Sequence, residues 1–256
     1  MSAPELAALR RPGFLDGIDV SAVQGAIDWP AVAEAGFRFA VIKASEGANY
    51  CDPRALQNLA GARAAGLRTG VYMFARVSQG DAEAQAERLW TCIGDTMPSF
   101  RLVLDLESAP AGTPGTDVVR LGEALSEALE RRFGRAPILY SYPSFLRSLG
   151  PALAPSTLAR CPLWIAQYSS TTTPWAPDEG AQPAVQAPWT DWAIWQYSGN
   201  GGYRVPGVPG DCDRNLFKGD EAALADFCGE PGPDELEPDA AIIHPLPFAD
   251  DPDDVD

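Results

Sequence analysis

Two carboxylates, one residue apart, close an apolar run: Arg101-Leu-Val-Leu-Asp-Leu-Glu107. Alternate side chains of a strand share a face, so Asp105 and Glu107 project together with Val103 behind them. Burial and a second acid nearby both disfavour ionisation, so such a pair is pushed toward holding a proton. A protonated carboxyl beside other acids is the equipment of general acid catalysis. An isolated Asp-x-Glu is more often a turn cap and a solvated acid, so other residues must converge on this one to give it chemistry.

Histidine supplies the sharpest exclusion. The only one is His244, in a Pro-rich acidic tail. Ser-His-Asp, Cys-His, H-E-x-x-H and three-His sites are therefore ruled out for the folded body, and carboxylates must move the protons. The net charge is −16 in 256 residues. Ten acids and no Lys or Arg fall within 230–256, which leaves a mildly acidic body near −6. With no basic stripe, nucleic acid is not an expected partner, whereas a neutral sugar polymer is compatible. Five cysteines without a C-x-x-C pair do not suggest a metal. Free thiols are the expectation, with one or two disulfides if the chain reaches the outside of a cell. The N-terminal stretch lacks an apolar signal-like core and no run approaches membrane-spanning length. The expectation is no signal peptide, no membrane partner, no cofactor and a monomer.

The elements that must position the acids alternate. Strands are predicted at 13–21, 37–45, 69–76, 102–107 and 136–142. Helices follow them from Asp28-Trp29-Pro30 onward, then over 52–66, 81–93, 118–133 and 143–149. Strands at 162–168, 192–197 and 211–217 come next with little helix between them, and a last helix lies at 221–227. Regular βα alternation points to a parallel sheet, and eight strands point to closure. The fold class is α/β, an irregular TIM-like barrel of five βα units followed by three strands. A lead at 1–13, a barrel domain at 14–229 and a disordered acidic tail at 230–256 complete the expected organisation.

In such a barrel chemistry sits where strands end. The predicted ends carry Asp19, then Lys43 with Glu46 beyond it, then Asp105 and Glu107. Tyr140 and Tyr142, Gln167 and Tyr168, and Trp195 to Tyr197 follow, and the last strand carries Asp213 and Asn215. Acids thus converge from the first, fourth and eighth strands, and aromatics ring the same mouth. Carboxylates can bond hydroxyls and protonate a glycosidic oxygen while aromatic faces stack on pyranose rings, so the combination fits a saccharide. Tyr72, Tyr140, Tyr168 and Trp195 are the candidate platforms, whereas Trp164 and Trp192 read as core.

The motifs in chain order are Gly17-Ile-Asp-Val-Ser21, Gln24-Gly25, Ile27-Asp28-Trp29 and Phe39-Ala-Val-Ile-Lys-Ala-Ser-Glu-Gly47. Gly70-Val-Tyr-Met-Phe74, Leu104-Asp-Leu-Glu107 and Ile138-Leu-Tyr-Ser141 come next. Leu163-Trp-Ile-Ala-Gln-Tyr168, Trp192-Ala-Ile-Trp-Gln-Tyr-Ser198 and Asp213-Arg-Asn215 complete the series. Over residues 14 to 228 the chain resembles the glycoside hydrolase family 25 lysozymes, the Chalaropsis-type N-acetylmuramidases common among endolysins and wall hydrolases. The resemblance implies cleavage of the β-1,4 bond between N-acetylmuramic acid and N-acetylglucosamine in peptidoglycan. By position it makes Glu107 the general acid, Asp105 its companion, and Asp19 and Asp213 the further acids. Lys43, Tyr72 and Tyr140 match groups lining the groove. Met73 stands where the family usually has His, and strand alternation turns it away from Tyr72.

Two mechanisms stay open at this level. Asp105 can orient the substrate's own 2-acetamido group for attack with retention, or Asp19 or Asp213 can activate a water with inversion. Rival readings are a chitinase-like barrel, which would want a further acid at Val103, and a wall-binding protein with little activity. The absence of a signal-like segment fits a protein made in the cytoplasm and released to the wall by a holin or another non-Sec route.

Overall fold

A computed structural model describes residues 11–168, 177, 180–199 and 204–229. Most of the expected lead and the whole of the expected tail lie outside these residues. The barrel strands are β1 (Phe14–Val20), β2 (Phe39–Glu46), β4 (Arg68–Phe74), β5 (Val103–Asp105), β6 (Ile138–Ser141), β7 (Leu163–Ala166), β8 (Ile194–Ser198) and β9 (Asp213–Lys218). A two-residue β3 (Tyr50–Cys51) hangs on the edge of β2. The sheet runs β1-β9-β8-β7-β6-β5-β4-β2, and pairing of β2 with β1 closes it.

The closure differs from an all-parallel barrel in one strand. β9 is antiparallel to both of its neighbours, β1 and β8. A parallel return needs a crossover, usually a helix, and the described residues between β8 and β9 hold none. The last strand therefore starts at the end of the barrel where the others finish, which brings its first residue, Asp213, to the mouth.

Helices α1 (Trp29–Glu34), α2 (Ala55–Ala64), α3 (Ala82–Ile93), α4 (Gly115–Phe133) and α5 (Pro143–Ser148) follow β1, β2 with β3, β4, β5 and β6 in turn, and α6 (Glu221–Cys228) follows β9. Their starts are written in short polar side chains. Asp28, Asp81 and Asp220 each accept a backbone N–H three residues on. α4 buries Val118, Leu121, Leu125 and Leu129 on one face and ends at Gly134, whose φ of 83° suits a residue without a side chain. The second helix starts later than predicted because Asp52 is used elsewhere. Its carboxylate accepts the N–H of Ala22 and of Arg54, tying the end of β1 to the loop before α2.

Strand alternation sorts the apolar side chains into two layers. Phe39, Val41, Phe100, Val103, Ile138, Trp164, Ile194 and Phe217 fill the lumen, and Leu224 and Cys228 of α6 close its floor. Their strand neighbours Ala40, Ile42, Leu104, Leu139, Ile165 and Trp195 point outward to the helices and loops. Met73 belongs to this outer layer, on the far side of β4 from the mouth. In the lumen Gly17 packs directly on the Phe39 ring, where any Cβ would collide. Among the cysteines, Cys51 and Cys92 are joined, which corrects the expectation of free thiols for these two. Cys161 and Cys212 are buried free thiols, and Cys228 is buried as well.

Candidate active site

At the C-terminal ends of the parallel strands the inward-facing side chains change from apolar to polar. They line a cleft of about 340 Å³ that brings together Asp19, Lys43, Tyr72, Asp105, Glu107, Tyr140, Tyr168 and Asp213. Gln196, Phe74 and Trp164 also face it, with Val103 beneath.

Asp19 is the best-anchored acid. Its Oδ2 accepts the Asn215 amide at 2.7 Å and the Gln196 amide at 3.0 Å. Each amide is oriented by an aromatic donor on its oxygen: Trp164 Nε1–H to Asn215 Oδ1 at 2.9 Å, and the Tyr140 hydroxyl to Gln196 Oε1 at 2.9 Å. Both amide nitrogens are thereby turned toward the carboxylate. Trp164 and Tyr140 brace each other edge to face, with centroids 4.9 Å apart. Asp213 pairs with Asp19 across β1 and β9 and hydrogen-bonds it. Burial pushes Asp19 up against the lowering effect of its donors. Burial and then the Asp19 charge push Asp213 further, so Asp213 keeps the proton and donates it toward Asp19.

Asp105 and Glu107 differ in environment. Asp105 lies in β5, is 6% exposed, and no donor among the described residues reaches its Oδ1. Burial first and the neighbouring Glu107 next raise it well above the carboxylate range, with Lys43 opposing. β5 is shorter than predicted and ends at Asp105, so Glu107 stands just beyond it, half-buried at the rim. The chain there is still held to β6: Leu106 N–H donates to Tyr140 O, and buried Ser141 Oγ donates to Leu106 O at 2.8 Å. Burial, then the charge of Asp19, raise Glu107, again against Lys43. Protonated acids thus gather about a smaller amount of negative charge.

Lys43 is tied to one wall. Its Nζ lies 2.6 Å from Glu46 Oε2 and over the rings of Phe74 and Tyr50. Arg76 grips the other oxygen of Glu46. Burial would raise Glu46, but the bonds from Lys43 and Arg76 hold it below its ordinary range. Opposite, Tyr168 is 59% exposed and hydrogen-bonds Asp213. Gly199 leaves room for this contact, since a Cβ there would sit 2.5 Å from the Tyr168 hydroxyl. Burial and the surrounding acids keep Tyr72 and Tyr140 neutral, as phenols able to donate.

Trp195 corrects one sequence expectation. It neighbours Gln196 on β8, so when Gln196 faces the lumen Trp195 must face out. Its indole is buried in the outer layer and donates to Gln167 O at 2.7 Å. Trp164, assigned to the core, is indeed buried in the lumen cluster, and from there it also forms the floor of the cleft as a donor. The same alternation, counted across the register Tyr140 to Trp164, carried that signal. The Ser21 to Gly25 part of the first motif is structural: Ser21 and Gln24 cap each other reciprocally, and Gly25 takes a positive φ.

An acid-lined mouth at the C-terminal face of a closed α/β barrel is the setting of a glycoside hydrolase. The chain belongs to the glycosyl hydrolases family 25, whose family model matches residues 18–208. β9, with Asp213, lies beyond that match. Lysozyme M1 of Streptomyces globisporus is 34% identical over 221 residues, covering 82% of this chain and 70% of that one. The N,O-diacetylmuramidase of Chalaropsis sp is 32% identical over 148 residues, 52% of this chain and 69% of that protein. The crystal structure of a bacterial lysozyme from Streptomyces coelicolor superposes with a TM-score of 0.73 at 32% identity, covering 84% of this chain and 96% of that one.

Proposed function

We propose that the protein is a peptidoglycan hydrolase, a lysozyme that cleaves the β-1,4 bond between N-acetylmuramic acid and N-acetylglucosamine. The reading is carried by Glu107, a raised and half-buried carboxyl fixed at the rim of an acid-lined cleft. The names of the lysozyme and muramidase relatives support the substrate.

Glu107 gives its proton to the glycosidic oxygen as the bond to the anomeric carbon breaks. Asp105 offers Oδ1 to the N–H of the substrate's 2-acetamido group, and the acetamido oxygen then closes on the anomeric carbon from the opposite face. The amide-held, partly charged Asp19 stabilises the positive charge that develops on the ring. Water opens the cyclic intermediate with Glu107 now acting as base, and configuration is retained. Lys43, Tyr72, Tyr140 and Tyr168 bind the sugar around these acids.

The test is lysis of purified peptidoglycan with analysis of the new reducing ends. Wild-type protein is expected to release muramic acid ends, and Glu107→Gln to lose nearly all turnover at an unchanged melting temperature. Glucosaminyl ends would overturn the bond assignment, and normal lysis by Glu107→Gln would overturn the acid.

A further inference from the structure

Strict alternation along β2 would put Glu46 on the opposite face from Lys43, three residues earlier. The strand avoids this with one extra residue. Lys43 is level with Tyr72 of β4, but Ser45 is level with Met73 and Glu46 with Phe74, so Ala44 has no counterpart in the register. Such an insertion re-aims the side chains beyond it. Glu46 thereby comes round, with Phe74, to the face that Lys43 and the mouth share. The slip is held on both sides: Asp52 N–H donates to Ala44 O at 2.9 Å, and Gly47 N–H donates to Phe74 O at 2.9 Å. We propose that Glu46 is a positioning residue: gripped by Arg76, it holds Lys43 against the rim wall and so limits the positive charge that reaches Asp105 and Glu107.

The proposal rests on the lysozyme reading above and deepens it. Glu46 touches no reacting atom in that reading and acts through Lys43. Its carboxylate is shared between two cations: Oε2 lies 2.6 Å from Lys43 Nζ, and Oε1 accepts Arg76 Nε–H at 2.8 Å. Both cations also rest on the Phe74 ring, Lys43 Nζ at 5.4 Å and the Arg76 guanidinium at 4.8 Å from its centroid. From β3 and β4 the phenols of Tyr50 and Tyr72 stand beside Lys43. From β5 and the chain beyond it, Asp105 and Glu107 feel its charge, which opposes the rise of both. Around Glu107 the set is completed by Asp19 of β1, Asp213 of β9 and the phenols of Tyr140 and Tyr168. Glu46 adds its own smaller upward push on Asp105. Removing the Glu46 charge therefore acts twice in one direction. Lys43 loses its counter-ion and can lean toward the acids, and a negative charge leaves their surroundings. Both changes favour ionised Asp105 and Glu107. A proton donor that ionises sooner stops working at a lower pH.

The test compares Glu46→Gln with wild type, each with Lys43 present and with Lys43→Met. The carboxyl carbons of Asp105 and Glu107 are titrated by NMR in the free protein, and kcat/KM for wall lysis is followed against pH. In Glu46→Gln the Glu107 titration and the alkaline limb of kcat/KM are expected to move down by roughly 0.5–1 pH unit. With Lys43→Met the same substitution should move them less than about half as far, because the route through Lys43 is gone. A merely structural role for Glu46 would lower the rate at every pH and leave the limb in place. That result, a shift to higher pH, or equal shifts in both backgrounds overturns the proposal. The two readings fail separately, since the NMR titration needs no substrate. Wild-type protein that releases no muramic acid ends overturns the lysozyme reading whatever the titration shows, while an unmoved titration beside muramic acid ends overturns the role of Glu46 alone.

Discussion

Asp19 and Asp213 are direct partners across the antiparallel pair β1 and β9, and their carboxyl groups hydrogen-bond in the mouth of the barrel. The reversed last strand is what makes this possible. In a parallel strand the first residue would lie at the barrel floor, whereas here it meets the last turn of β1. Two acids so placed cannot both ionise cheaply, and the amide donors on Asp19 decide which one carries the charge.

That arrangement makes stability depend on pH in a defined direction. Asp213 is pushed up to about 8 from an ordinary value of 3.8. Between those values the folded protein holds a proton that the unfolded chain releases. Its contribution is therefore fully present below about pH 4 and is lost as pH rises through 8. Asp213→Asn should flatten, by a few kcal/mol at most, the decline in stability between pH 5 and 9 that wild type shows as a falling melting temperature. A wild-type melting temperature that rises over this range would contradict the shared-proton arrangement.

Trp164 acts on Asp19 at one remove, through Asn215. Trp164→Phe keeps an aromatic ring but leaves Asn215 Oδ1 without its donor, at a cost of about 1–3 kcal/mol. Asn215 is then free to turn its oxygen toward Asp19, which disfavours the charged carboxylate. The acid limb of the kcat–pH profile should move to higher pH, with kcat down roughly tenfold at neutrality. A stability loss with an unmoved limb would mean that the indole serves packing alone.

The Cys51–Cys92 bond clamps β3 to α3 across 41 residues of sequence. Tyr50, on the same two-residue strand, lies against Lys43 at the rim. Replacing both cysteines by Ser, or reducing the bond, should cost about 2–4 kcal/mol and lower the melting temperature by roughly 5–10 °C. The rim should loosen more than the acids, so KM is expected to rise while kcat holds. Equal melting curves with and without reductant would show that the clamp contributes nothing.

Much of this site is legible in the sequence because strand alternation is a local rule. Asp105, Tyr140, Tyr72 and Lys43 each end an apolar run whose period places them inward, and the barrel face follows from the βα alternation. What escaped is what depends on partners distant in sequence. The direction of β9 is set by how the connection from β8 closes the barrel, and no residue of Asp213-Arg-Asn215 announces it. Trp164 and Trp195 are alike in type and both follow apolar residues, yet Trp195, expected at the mouth, lies in the outer layer, while Trp164, expected in the core, is buried there and also lines the mouth. Their sides are fixed by the registers Tyr140 to Trp164 and Gln196 to Asn215, which only the assembled sheet displays.

Asp105 separates the two mechanisms that the sequence leaves open. Its buried Oδ1 lacks a donor among the described residues, and the acetamido N–H of a bound sugar would supply one. If it holds that group for attack, Asp105→Asn should lower kcat by about two orders of magnitude with KM little changed, because the interaction matters most as the acetamido oxygen closes on carbon. A substrate stripped of its N-acetyl groups has no such group to hold. On de-N-acetylated glycan both proteins should be slow and nearly equal in rate. A water-activated inverting reaction predicts instead that the ratio between wild type and Asp105→Asn is the same on both substrates. The anomer first released, followed by NMR, adds an independent reading: the β-anomer accompanies retention, and the α-anomer would assign the base role to Asp19 or Asp213.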